Sequence, residues 1–288
     1  MTVVAGYRSG KVGLSGLHLA VRLARTLETS LTVATIVPRP WLARVDAEYE
    51  DWADHLAADS ANEARRYLYN LANGIEVNYF YRAHRSVSSG LIEAVEELDG
   101  QILVLGSLPS GGRGQVVIGS TADWLLHASP VPVAISPPRY RSYTGRLTRL
   151  TCAYSATPES VEVVRRCFQF AERLGAPVRV LTFAVRGKTM YPPEVGMDVE
   201  DAILEAWASQ AHEILAGLKT EGVVGEDVVL EVVSGHSWQE VLDKTDWEDG
   251  EMLAVGSSSR GEIRRVFLGS HSGKIIRNSP VPVMVLPR

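Results

Sequence analysis

The stretch Gly106-Ser107-Leu108-Pro109-Ser110-Gly111-Gly112-Arg113-Gly114-Gln115-Val116-Val117-Ile118-Gly119-Ser120 decides the fold, because it returns 150 residues later. The second copy reads Gly256-Ser257-Ser258-Ser259-Arg260-Gly261-Glu262-Ile263-Arg264-Arg265-Val266-Phe267-Leu268-Gly269-Ser270. Downstream of each copy stands the same pentapeptide, Ser129-Pro130-Val131-Pro132-Val133 and Ser279-Pro280-Val281-Pro282-Val283. Twelve of the 36 positions in Gln101–Ser136 are identical in Glu251–Leu286. A repeat of this length is a duplicated domain, not a solenoid unit.

Upstream, the correspondence continues at an offset of 147. Leu14, Leu17, Val21, Ala24 and Leu27 match Val161, Val164, Phe168, Ala171 and Leu174, the spacing of one apolar helix stripe. Around these stripes apolar runs alternate with amphipathic segments. In the first half the runs are Val3–Tyr7, Leu31–Val37, Ile75–Tyr81, Ile102–Leu105 and Val131–Ile135. In the second they are Leu150–Tyr154, Val178–Ala184, Val228–Val233, Met252–Val255 and Val281–Leu286. Strands alternating with helices predict right-handed βαβ units and a parallel sheet covered on both faces. The expected fold class is therefore α/β: two tandem domains, 1–140 and 146–288, joined by the polar stretch Pro137–Arg149. The last run of each half would sit at a sheet edge. A bare apolar edge is a liability, so the two edges are expected to pair with each other.

Composition narrows the function. The 288 residues carry 29 Lys+Arg against 34 Asp+Glu, and neither half is basic, which argues against nucleic acid as a partner. No run is long and apolar enough for a bilayer, so no membrane partner is expected. Residues 1–10 read as strand and loop without a charged and then apolar leader, and the expected location is cytoplasmic. Two cysteines, Cys152 and Cys167, form no CxxC pair and read as buried thiols. The seven histidines are scattered, and neither a metal signature nor a nucleophile elbow occurs. Gly187-Lys188-Thr189 lacks the preceding glycine of a phosphate loop, because Thr182 stands there. With no general base, carboxylate pair or nucleophile in view, turnover is not expected.

In a sheet of this type a ligand belongs beyond the carboxyl ends of the strands, where strand order reverses. The loop after the fourth strand lies there. Its glycines allow close backbone approach, its N–H groups can form an anion nest, and Gly119-Ser120 and Gly269-Ser270 open a helix whose N-terminus favours negative charge. The two loops resemble the G-x2-G-x9-G-[ST] motif of the universal stress protein family, which is likewise followed by a helix and a Pro-Val strand. The resemblance spans nearly the entire chain, twice. It implies five-stranded parallel sheets of the Rossmann-like, HUP type, an ATP pocket in some members, and pairing through the last strand. The residues it carries over to a nucleotide are Gly106, Ser107, Gly111, Gly119 and Ser120 in the first half. In the second they are Gly256, Ser257, Ser259, Arg260, Gly261, Gly269 and Ser270, with Ser155 at the end of the first strand.

The chain departs from the family pattern at two places. The motif's second glycine is Pro109 in one half, which has no N–H, and Ser259 in the other, which keeps it. The carboxylate that holds adenosine in ATP-binding members is replaced by Arg8 and Ser155. Two readings follow. In the first the protein is a stress-response binding or regulatory module with degenerate nucleotide pockets, the second better kept and flanked by Arg260, Arg264 and Arg265. In the other it binds no nucleotide and acts through protein surfaces. A weak ATPase is a third and lesser reading. Ser120 and Ser270 read equally as helix N-caps. The partners allowed are a nucleotide and an unidentified protein, with the halves forming an intramolecular pseudo-dimer and a homodimer left open.

Overall fold

A computed structural model of the chain describes residues 1–10, 13–40, 47–108, 116–142, 145–155, 158–185, 197–257 and 270–287. The first half runs β1 (Thr2–Gly6), α1 (Leu14–Thr26), β2 (Ser30–Pro38), α2 (Ala47–Leu71), β3 (Val77–His84), α3 (Val87–Glu97), β4 (Gly100–Gly106), α4 (Ser120–Ala128) and β5 (Val133–Ser136). The second repeats it: β6 (Arg149–Ala153), α5 (Pro158–Leu174), β7 (Val178–Val185), α6 (Met197–Thr220), β8 (Val229–Gly235), α7 (Trp238–Lys244), β9 (Glu251–Gly256), α8 (Ser270–Asn278) and β10 (Val283–Leu286). Each half is a parallel sheet, ordered β3-β2-β1-β4-β5 and β8-β7-β6-β9-β10.

The two sheets fuse edge to edge. β5 pairs antiparallel with β10, with Val133 opposite Val285, Ala134 opposite Met284 and Ile135 opposite Val283. The expected edge pairing is thus present, and it yields one ten-stranded sheet with pseudo-two-fold symmetry. Each face carries a single core crossing the seam. Helices α1, α2, α5 and α6 bury Leu17, Leu23, Leu68, Cys167, Phe170 and Leu215 on one face. On the other, α3, α4, α7 and α8 bury Leu91, Leu125, Val241 and Ile276.

The polar connection between the halves is docked on the protein. Leu147 and Ser142 are buried. The Leu147 N–H donates to Thr26 Oγ1 at 2.8 Å, and Arg146 pairs with Glu28 at 2.7 Å. Buried Arg22 donates to the Tyr140 hydroxyl at 2.8 Å and pairs with Asp249 of the second half at 3.3 Å. His18 stands between the Tyr67 hydroxyl (2.7 Å) and the Ser142 carbonyl (3.0 Å). Burial lowers its pKa, the Ser142 backbone acts the other way, and the Arg141 charge lowers it further.

The halves differ at the amino ends of their central strands. In the first, Thr2 and Thr32 hydroxyls meet at 3.1 Å. In the second, the fully buried Glu251 side chain takes Arg149 at 2.8 Å and Arg179 at 2.7 Å, with Thr151 Oγ1 also donating to it. Trp247 lies just beyond α7. Its Nε1 donates to Leu242 O and Arg179 sits over its ring, because α7 ends at Lys244. Trp52, Trp124 and Trp207 are about half exposed on the outer faces of α2, α4 and α6. Trp41 lies outside the described residues. Both cysteines are free and buried, as expected.

Candidate functional site

The order β2-β1-β4-β5 places the switch point of the first half between β1 and β4, at their carboxyl ends. There α1 comes against β4 through glycines. A Cβ on Gly16 would lie 2.8 Å from the Gly106 nitrogen, and one on Gly106 would lie 2.8 Å from Gly13 Cα. Gly13, the N-cap of α1, has φ +108°, a conformation that side chains disfavour. Gly16→Ala is therefore expected to cost about 1–3 kcal/mol in urea denaturation, because the new methyl meets backbone that cannot swing aside. In the second half the position matching Gly16 is Val163, and a Cβ on Gly256 would fall inside its side chain. The same crevice is closed by backbone contact in one half and by a valine in the other.

The described part of the first glycine loop is hydrogen-bonded to itself and to the second half. Ser107 Oγ accepts the Val117 N–H at 2.9 Å and donates to Leu108 O at 3.2 Å. The Leu108 N–H bonds Val117 O at 3.2 Å. The Val116 N–H reaches Arg277 O, in the last turn of α8, at 2.9 Å. The Leu108 side chain lies over Gly119, where a Cβ would stand 3.3 Å from Leu108 Cδ1. Three N–H groups that could have formed an anion nest thus have internal partners. Gly119, with φ −77° and ψ 165°, is the N-cap of α4, and no side chain caps that helix. The expectation of Ser120 as N-cap is corrected: it is the first helical residue and is exposed, because Gly119 already takes the extended capping conformation.

Beyond β1 the family's carboxylate position is Arg8, which is exposed. The two N–H groups that follow are held by α2: Ser9 by Ser60 Oγ at 2.9 Å and Gly10 by Glu63 Oε2 at 3.1 Å. Tyr7 is buried, and its hydroxyl has no hydrogen-bond partner within bonding geometry among the described residues. Burial, with the Glu63 charge, pushes its pKa far up. Its carbonyl accepts Thr35 Oγ1 at 3.0 Å, and the second half repeats this bond from Thr182 Oγ1 to the Tyr154 carbonyl at 3.1 Å. Ser155 follows Tyr154 and is exposed.

In the second half Gly256 ends β9, Ser257 follows with its N–H 3.4 Å from Leu286 O, and Ser270 opens α8. Ser272 Oγ donates to Gly256 O at 3.3 Å, drawing the start of α8 towards the end of β9. Ser259, Arg260, Gly261, Arg264, Arg265 and Gly269 lie outside the described residues. So do Pro109, Gly111 and Arg113 of the first loop, and Gly187-Lys188-Thr189. His84 is the last residue of β3, with Nε2 3.3 Å from Glu93, and His236 follows β8, where its N–H donates to Glu240 at 2.9 Å. Among the described residues no cluster of His, Cys, Asp and Glu could hold a metal ion. The roles of Leu108, Ser60, Glu63 and Val163 were not apparent from the sequence. The one available signal was Leu108 standing where the second loop has Ser258.

Duplicated parallel α/β domains, with Gly106 and Gly256 ending the strands at the switch points and last strands paired across a pseudo-dyad, define the class. Residues 1–137 and 147–287 each match the sequence model of the universal stress protein family. The chain belongs to that family, in tandem form. A curated universal stress protein of Mycobacterium tuberculosis is 66% identical, covering 100% of both chains. A crystallised universal stress protein from Archaeoglobus fulgidus shares the fold at 18% identity and a TM-score of 0.62, covering 99% of this chain and 98% of that one. A universal stress protein solved in complex with cAMP matches 47% of this chain at 21% identity, with a TM-score of 0.37. No described helix is long and apolar enough to cross a membrane.

Proposed function

We propose that the protein is a cytoplasmic stress-response module that takes up a nucleotide such as ATP, or a phosphate anion, at the loop opened by Gly256, and that it senses or regulates without turnover. The observation that carries the asymmetry is the internal bonding of the first loop. With the N–H groups of Leu108, Val116 and Val117 paired and Leu108 over Gly119, the first half offers little to an anion. In the second loop Ser259 keeps an N–H where Pro109 has none, and three arginines flank it. A serine at position 155 supplies neither the charge nor the second acceptor of a carboxylate, so affinity is set at micromolar or weaker, about −8 kcal/mol or less in magnitude.

The test is calorimetry with ATP on the intact protein, Gly269→Val and Gly119→Val. The branched side chain of Gly269→Val should abolish binding, and Gly119→Val should leave it within about twofold. Equal loss in both variants would defeat the asymmetry. The second reading, a protein that acts through its surfaces alone, is favoured by Val163 filling the crevice over Gly256. Heat from none of the three proteins, together with no small molecule released on denaturation by mass spectrometry, would establish it.

A further inference from the structure

At one end of the ten-stranded sheet, β3 pairs only with β2 among the described residues. The Leu31 N–H bonds Glu76 O and the Arg39 N–H bonds His84 O, both at 2.9 Å, so the even-numbered residues of β3 address β2. In a parallel ladder the N–H and C=O of one residue point the same way. Those of Val77, Tyr79, Tyr81 and Ala83 therefore point outward, a row of unpaired donors and acceptors eight residues long.

A cavity of about 210 Å³ lies between α2 and this edge, lined on the helix side by Ala57, Ala58 and Ala61 and on the sheet side by Val33, Tyr79 and Tyr81. It exists because α2 presents small side chains where the sheet presents large ones. One end of the groove is closed by Arg65, 4.7 Å over the Tyr79 ring. The other end is acidic. From Ala47 to Ala64 the chain has six carboxylates and no Lys or Arg, and Glu50, Asp51, Asp54 and Asp59 are exposed. The Asp54 charge reaches Tyr81, whose pKa rises through burial first and that charge second. Half-exposed Trp52, 5.6 Å from the Tyr49 ring, adds an aromatic face of the kind that attracts cations.

We propose that β3 is a docking edge, which takes an extended segment of another protein as an eleventh strand. One apolar side chain of that segment sits in the cavity under α2, and a Lys or Arg lies against the acidic face of α2. Main-chain pairing supplies affinity, and the cavity and the carboxylates supply selection, since alternate side chains of an added strand fall on the α2 side. This surface is separate from the glycine loops, and the proposal does not depend on a nucleotide.

The test uses the full chain and fluorescein-labelled peptides about ten residues long, enough to cover β3. They alternate Thr and Val, carry Lys at both ends, and vary the central residue through Ala, Leu, Ile and Phe. Anisotropy should show saturable binding, tighter for Leu than for Ala. N-methylation of alternate peptide residues, exchange of both Lys for Glu, Asp54→Lys, and Ala58→Phe in the exposed wall of the cavity should each weaken it at least about tenfold. Thermal midpoints of the two variants should match that of the parent. Absence of binding across the set, or binding indifferent to N-methylation and to Ala58→Phe, would overturn the proposal. Self-association in sedimentation that Ala58→Phe abolishes would overturn it too, by showing that a second copy of this chain covers the edge.

Discussion

Val133→Glu is expected to open the molecule at its centre. Val133 is the buried first residue of β5, held between Leu103 of β4 in the parallel ladder and Val285 of β10 in the antiparallel one. Its side chain belongs to the core under α3, α4, α7 and α8, among Val285, Leu253 and Ile135. A carboxylate there has neither water nor a cation, and an unpaired buried charge is among the most costly substitutions a core can receive. The seam has three residue pairs, so few contacts remain to hold the edges once the charge is present. We expect a loss above about 4 kcal/mol in chemical denaturation, against about 1 kcal/mol for Val133→Ala, which keeps the ladder. Small-angle scattering should show a longer particle, and proteolysis should cut within residues 137–149. A Val133→Glu protein as stable and compact as the parent would mean that the docked connection and the Arg22–Asp249 pair, not the strand seam, join the halves.

The second large effect belongs to Glu251. Its side chain is wholly buried yet ionised. Burial pushes its pKa up, but hydrogen bonds from Arg149, Thr151 and the Glu248 N–H and the charge of Arg179 outweigh that, and the net shift is downward. Glu251→Ala removes the carboxylate that two guanidinium groups share, leaving Arg149 with the more exposed Glu248 at 2.6 Å and the almost entirely buried Arg179 with Glu231 at 2.9 Å. Breaking a buried pair from one side costs about 3–5 kcal/mol, far more than the pair's own net worth. Because the folded carboxyl has the lower pKa, its contribution is present in full above the ordinary glutamate range and fades as pH falls through the folded value. Glu251→Gln keeps the volume and should lose that pH dependence. Denaturation curves from neutral pH down into the acid range would measure it. A slope unchanged in Glu251→Gln would assign the acid sensitivity to other carboxylates.

The two halves show where sequence reasoning holds and where it stops. Duplication, the alternation of strands and helices, and the two sheet edges were legible because they rest on local periodicity and on identity across the repeat. Leu17 and Val164 occupy matching helix stripes, and Val133 and Val283 open matching last strands. Backbone geometry is nearly the same wherever such patterns recur. The glycine loops could be located from the sequence, but their state could not. Whether the Val116 N–H faces a ligand or the Arg277 carbonyl depends on a helix residue 161 positions away in the chain, brought near by the β5–β10 seam. The crevice behaves likewise: Gly16 and Val163 hold the same place in the repeat, yet one admits backbone and the other fills the space with methyl groups.

Glu251 and Gln101 also share a position in the repeat, yet Glu251 gathers two arginines in the interior while Gln101 accepts an exposed hydrogen bond from Arg173. The unpaired edge at β3 and the cavity beneath α2 have no sequence signature at all. They arise because Ala57, Ala58 and Ala61 of one element oppose Tyr79 and Tyr81 of another. Local patterns determined which elements form and in what order they follow along the chain. The tertiary structure decided which polar groups find partners and which surfaces stay open, because a hydrogen bond or a cavity is made by residues that the chain separates and only the packed fold brings together.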